Sequence, residues 1–173
     1  MSDDDTVLSF GKTRVRISHR ELHHPPVCPS NALLLRAESC ELDTLTTLRI
    51  GRLGSEYEIL VLWSSNGSTF GFNLRYEEST GVLFIGAGTL SAVIHVSTLN
   101  IIDENIVDLF WDFVPCREFV LEQGELECRL YRKDGTCIGA VPVDPPYEWR
   151  EKKTGLVFSS SIFGEQRIDF PTD

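Results

Sequence analysis

The sequence has little of what membrane, nucleic-acid or secretory chemistry requires. Its longest apolar stretches, such as Ile59 to Trp63, are about a quarter of the roughly 20 residues that span a bilayer. It lacks a basic excess: 16 Lys and Arg stand against 26 Asp and Glu, a formal charge of −10. A surface of that sign repels phosphate, so neither nucleic acid nor an anionic membrane is an expected partner. Cysteine is sparse and unpatterned. Cys28, Cys40, Cys116, Cys128 and Cys137 are odd in number and form no C-x-x-C pair. The opening Met1-Ser2-Asp3-Asp4-Asp5 is acidic where a signal peptide needs a basic start and an apolar run. These features predict a cytoplasmic chain with reduced thiols, used as small apolar side chains. Residues 1–5 are expected to be a disordered acidic tail, and residues 6–173 one domain.

The motifs of catalysis are missing as well. No G-x-S-x-G elbow occurs, and Ser64-Ser65 and Ser159-Ser160-Ser161 adjoin turns or strand ends, where serine bonds to backbone. Gly86-Ala87-Gly88-Thr89 lacks the third glycine and the lysine of a phosphate cradle, and it precedes a strand instead of a helix. His19, His23, His24 and Cys28 offer imidazole and thiol, but the second ligand pair of a structural zinc site is absent and Pro25-Pro26 intervene. No catalytic residue, metal or cofactor is expected, and His95 reads as an ordinary strand histidine.

What is present is period-two alternation. Thr13-Arg14-Val15-Arg16-Ile17 buries one strand face and offers Arg14 and Arg16 on the other. His23 to Pro29 is proline-rich extended chain. Ala32–Cys40 has helix-favouring composition but is short and lacks a stop, and we read it as strand. Tyr57–Trp63 leads through Asn66-Gly67, a hairpin signal, to a return strand through Phe70, Phe72 and Leu74. Further strands are predicted at 82–85, 90–96, 107–114, 119–121, 126–131, 137–143, 156–159 and 166–170, with turn chemistry between them. Short strands at this spacing predict an all-β, antiparallel meander: a sandwich or partly open barrel, or alternatively a small propeller-like stack.

Two passages align about 36 residues apart. Phe84-Ile85 followed by Gly88-Thr89-Leu90-Ser91-Ala92-Val93-Ile94-His95 matches Val120-Leu121 followed by Gly124-Glu125-Leu126-Glu127-Cys128-Arg129-Leu130-Tyr131, and Leu156-Val157-Phe158 begins a third, incomplete copy. Over about 60 residues this plan resembles the blade repeat of quinoprotein-like β-propellers. The resemblance implies successive hairpins packed side by side. It implies no quinone cofactor and transfers no functional residue, because the aromatic that closes a blade in that family has no clear counterpart here.

Candidate contact residues come from the strand predicted at 107–114. Alternation places Asp108, Phe110 and Asp112 on one side, with Val107, Leu109, Trp111 and Phe113 on the other. Two carboxylates four residues apart on a strand lie roughly 13–14 Å apart at Cα, against about 5–9.5 Å between the carboxyl groups of a glycosidase pair. They suit a recognition surface with Phe110 better than catalysis. Trp63 and Trp111 sit in apolar strands and read as core, whereas Trp149 has polar neighbours and is the tryptophan expected to be partly exposed. Asp108, Phe110, Asp112 and Trp149 are therefore the expected partner contacts. The expected function is a non-catalytic, acidic β-domain that binds a protein, one version being an inhibitor or immunity protein for a basic toxin. The alternatives are a small-molecule-binding or hydrolytic barrel and a module of a homo-oligomer.

Overall fold

The computed structural model describes residues 5–39, 41–52, 55–65 and 71–171. Cys40, the Asn66-Gly67 turn, Phe70 and all of the acidic tail except Asp5 lie outside the described residues. Every regular element described is a strand, in four sheets, none closed into a barrel. No helix among the described residues is long and apolar enough to cross a membrane.

Each sheet is drawn from one continuous stretch of chain. The first holds β1 (Thr6–Phe10), β2 (Thr13–Glu21), β3 (Ala32–Arg36), β4 (Thr44–Arg52) and β5 (Ser55–Trp63) in the order β1-β2-β4-β5-β3. The second is a meander of β6 (Phe72–Glu77), β7 (Val82–Ala87), β8 (Leu90–His95) and β9 (Asn100–Ile106). The third repeats it with β10 (Phe110–Cys116), β11 (Phe119–Gly124), β12 (Glu127–Arg132) and β13 (Cys137–Pro142). The fourth is shorter: β14 (Glu148–Lys152), β15 (Gly155–Ser160) and β16 (Gly164–Asp169). The glycine-turn repeat thus marks equivalent hairpins, β7–β8 and β11–β12, and its third copy begins at β15. Neighbouring strands are antiparallel except β3 and β5, which are parallel with Leu34 beside Leu60.

Three apolar layers bind the sheets in chain order, so the arrangement is the propeller-like stack. Val15, Ile17, Leu48, Ile59 and Trp63 of the first sheet meet Leu74, Leu83, Ile85 and Ile94 of the second. Val82, Phe84 and Val93 on the other face of the second sheet meet Phe113, Val120 and Tyr131 of the third. Leu121, Cys128 and Leu130 meet Leu156, Phe158 and Ile168 of the fourth. The inner sheets are covered on both faces, which explains why β7 and β8 read as nearly unbroken apolar runs.

The parallel strand dictates an unusual connection. To pass from β2 to β3 at the far edge, residues 22–31 must cross β4 and β5. The inner face is already packed against the second sheet, so the crossing runs over the outer face. Prolines suit such a strap because it lacks ladder hydrogen bonds to make. Leu22 pins its start on Leu45, Leu60 and Leu62, which form a small apolar cluster of their own.

Candidate functional site

The outer face of the first sheet is one end of the stack, and its layout follows from strand register. Arg16 lies directly opposite Arg49, which lies opposite Glu58. The next outward-facing row is Ser18, Thr47, Leu60 and Leu34, and the row after it is Arg20, Leu45, Leu62 and Arg36. Arg14 faces outward beside Gly51. Five exposed arginines thus share a face with Asp5, Glu56 and Glu58 on a chain whose net charge is −10. Between the rows lies a hollow of about 480 Å³, lined by Arg16, Arg20, Arg49, Ser18 and Thr47 together with Asp5 and Glu58, and overhung by Val27 and Pro29 of the strap.

The ion pairs there are uneven. Arg49 Nε donates to Glu58 Oε1 at 3.0 Å. Arg16 Nε is 3.8 Å from Asp5 Oδ2, too long for a hydrogen bond. Among the described residues Arg14 and Arg20 form no ion pair. Exposed apolar side chains border the arginines: Val7, Val27 and Leu34. The opposite end of the stack is different. On the outer face of the fourth sheet Arg150 meets Glu165 at 3.0 Å and Arg167 pairs with Asp169, and Lys152 is offset in number by Glu148, so cations and anions balance there.

The residues expected to contact a partner are not brought together. Asp108 is exposed in the turn that precedes β10. Phe110 is completely buried, which removes it as a contact: its ring packs onto Gly86, where even a Cβ would come within 2.3 Å of it. The strand register shifts between Phe110 and Asp112, and the extra residue turns Phe110 to the same core as Phe113. Asp112 is half-buried, accepting hydrogen bonds from the Asn73 side-chain amide and, at 2.7 Å, from the Phe113 backbone. Trp149 is half-buried, packed against the core between the third and fourth sheets with part of its side chain exposed. Trp63 is core, as its sequence context predicts. Trp111 is half-buried and stacks on Tyr147, with ring centres 5.2 Å apart and planes 3° from parallel.

Cys116 and Cys128 are buried free thiols whose pKa burial pushes up to about 11, whereas Cys28 and Cys137 are exposed, against expectation. His19 packs its ring against Trp63 and Phe72. Its Nδ1 lies 2.7 Å from Thr46 Oγ1, which also accepts from Trp63 Nε1 at 2.8 Å. Burial lowers the His19 pKa.

Sequence reasoning missed a buried polar cluster between the second and third sheets. Ser91 Oγ donates to Glu122 Oε2 at 2.7 Å, and both residues are buried. Tyr131 OH donates to Asp103 Oδ2 at 3.1 Å, and Asn105 donates to the same oxygen at 3.0 Å. Burial raises the Glu122 pKa, opposed by the Ser91 hydrogen bond and the charge of Arg129. A second surface hollow, of about 430 Å³, lies at the seam of the first two sheets and is lined by Tyr57, Tyr76, Thr80 and His95. The His95 Nδ1 is 3.2 Å from the Ser97 hydroxyl and 3.3 Å from that of Thr98.

No protein-family model matches the chain. No curated protein matches it significantly by sequence. Among solved structures, the β-propeller domain of the Trilobed protease from Pyrococcus furiosus, described as having an open velcro topology, aligns with a TM-score of 0.42 at 10% identity, covering 94% of this chain and 57% of that one. Kluyvelomyces marxianus Hsv2 aligns with a TM-score of 0.37 at 11% identity over 68% of this chain and 40% of its own. The chain therefore spans about half the length of the structures it matches.

Proposed function

We propose that the chain is a non-catalytic protein-binding module whose partner docks on the outer face of the first sheet. One observation carries this reading: the two ends of the stack differ in kind. The fourth-sheet end is balanced, with Arg150, Lys152 and Arg167 set among Glu148, Glu165 and Asp169. The first-sheet end has a hollow, exposed apolar side chains and arginines in excess over acids. Apolar side chains set among arginines are the composition of a protein contact surface more than of a solvated one. The −10 charge by itself favours a basic partner, but this face favours the opposite sign, so the acidic-inhibitor version of the reading would leave it unused.

The test is site-specific photo-crosslinking of the full chain in native lysate, with the probe at Thr47 or, as a control, at Glu165 on the far end. The reading expects a discrete protein adduct from Thr47, abolished by Arg16→Glu with Arg20→Glu and absent from Glu165. Identical adducts from both positions, or none from Thr47, contradict it. The hollow at Tyr57, Tyr76 and His95 favours a second reading, small-molecule binding. It predicts a ligand-dependent rise in melting temperature in a metabolite screen that Tyr76→Ala abolishes.

A further inference from the structure

We infer that the hollow beneath the strap of residues 22–31 takes an extended acidic segment of a protein partner, whose carboxylates engage Arg16 and Arg20. This rests on the docking reading above and names the occupant. Arg16 and Arg20 lie on the same face of β2, four residues and thus about 13 Å apart, with Ser18 between them. An extended peptide running along β2 presents same-side residues at that repeat, so two of its acids can meet both arginines while the hydroxyls of Ser18 and Thr47 form the floor.

The chain's own acids mark the preferred ligand. Arg49 is occupied by Glu58 at 3.0 Å, whereas Arg16 has only Asp5 at 3.8 Å. Asp5 is the weakly held group that an incoming carboxylate would displace. Two arginines directly opposite each other across neighbouring strands repel, which an added anion relieves. Charge also selects orientation: a −10 chain repels an acidic partner everywhere except where arginines dominate. Exposed Val27, with Pro29 in the overhanging strap, favours a peptide over a free inorganic anion, because it offers apolar surface to the residues between the acids.

The experiment measures fluorescence anisotropy of an eight-residue peptide alternating glutamate and valine, carrying a neutral dye, with the full chain at about 50 mM salt. Its lysine-for-glutamate counterpart is the charge control. The glutamate peptide is expected to bind and the lysine peptide not. Arg16→Gln with Arg20→Gln should weaken binding about 10-fold or more, and about 300 mM salt should weaken it several-fold. Asp5→Asn should tighten it about two- to three-fold by removing the internal competitor. Arg150→Gln with Arg167→Gln, on the far end, should leave the affinity unchanged. All substituted residues are exposed, and an unchanged melting temperature verifies that each variant is folded. Equal binding of the lysine peptide, indifference to the Arg16/Arg20 pair, an equal loss from the Arg150/Arg167 pair, or displacement by inorganic phosphate at concentrations below the peptide's own overturns the inference. A Thr47 crosslink without glutamate-peptide binding rejects this occupant and leaves the docking reading standing. Peptide binding without a crosslink rejects docking by a protein and leaves the acidic specificity standing.

Discussion

His19 and Glu122 carry the clearest pH signatures, and they have opposite signs. The His19 ring is half-buried among Trp63 and Phe72, so its folded pKa lies below the unfolded value near 6.5. The folded ring binds its proton less readily than the unfolded one. Its contribution to stability is therefore complete above pH 6.5 and is lost as pH falls through the lowered value. The Glu122 carboxyl is held above its usual range by burial, so the folded state binds that proton more tightly. Its contribution is complete below about pH 4.5 and is lost as pH rises through the raised value. Thermal melts of His19→Gln should show a smaller drop than the parent between pH 7.5 and 5.5, by about 1–3 °C. Glu122→Gln should gain on the parent as pH rises from 4.5 to 8. Parallel melting curves for parent and variant across either range would contradict the assignment. The sequence could not reveal either group: a histidine or glutamate in an alternating strand looks the same whether its face meets water or a second sheet. Phe110 shows the same limit. Its neighbours Asp108 and Asp112 suggested an outward face, and only the bulge and the notch at Gly86 turn it inward.

At the scale of elements, legibility followed exposure. Strands with one wet face, such as β2, were plain from alternation. β4 was not recognised because Thr44, Leu45, Thr46 and Leu48 are all buried, which erases the alternation. β9 and β14 were missed for the opposite reason, since edge strands carry charge and sit largely in water. That the strap leads into a parallel edge strand was invisible too, because proline content announces irregular chain but not where it crosses. Gly86→Ala puts a methyl group into the Phe110 ring and should destabilise the fold by about 1–3 kcal/mol in urea denaturation; an unchanged midpoint would contradict the packing of β10 on β7. Leu22→Ala removes the anchor of the strap on Leu45, Leu60 and Leu62. Amide exchange should then quicken at residues 22–31 while the cores between the sheets keep their protection. Uniform quickening across all four sheets would show that the strap is not an independent cover.

For the whole molecule, charge is the property that composition described least well. The total of −10 predicts repulsion of anions, yet five of the 16 basic residues lie exposed on one end face while the other end is balanced. Net charge is a sum, and a sheet face is a selection of every second residue from several strands, so register decides what a partner meets. The order of the sheets adds the second half of the argument. Among the described residues both inner sheets are covered on both faces, and the first-sheet end combines a hollow with cations in excess over acids. The backbone amide spectrum of the isotopically labelled full chain, titrated with the alternating glutamate–valine peptide, tests this most directly. Shifts confined to Arg16, Ser18, Arg20, Thr47, Arg49 and the strap, with β14 to β16 silent, are predicted. Shifts centred on the fourth sheet, or spread evenly over the chain, would contradict the account.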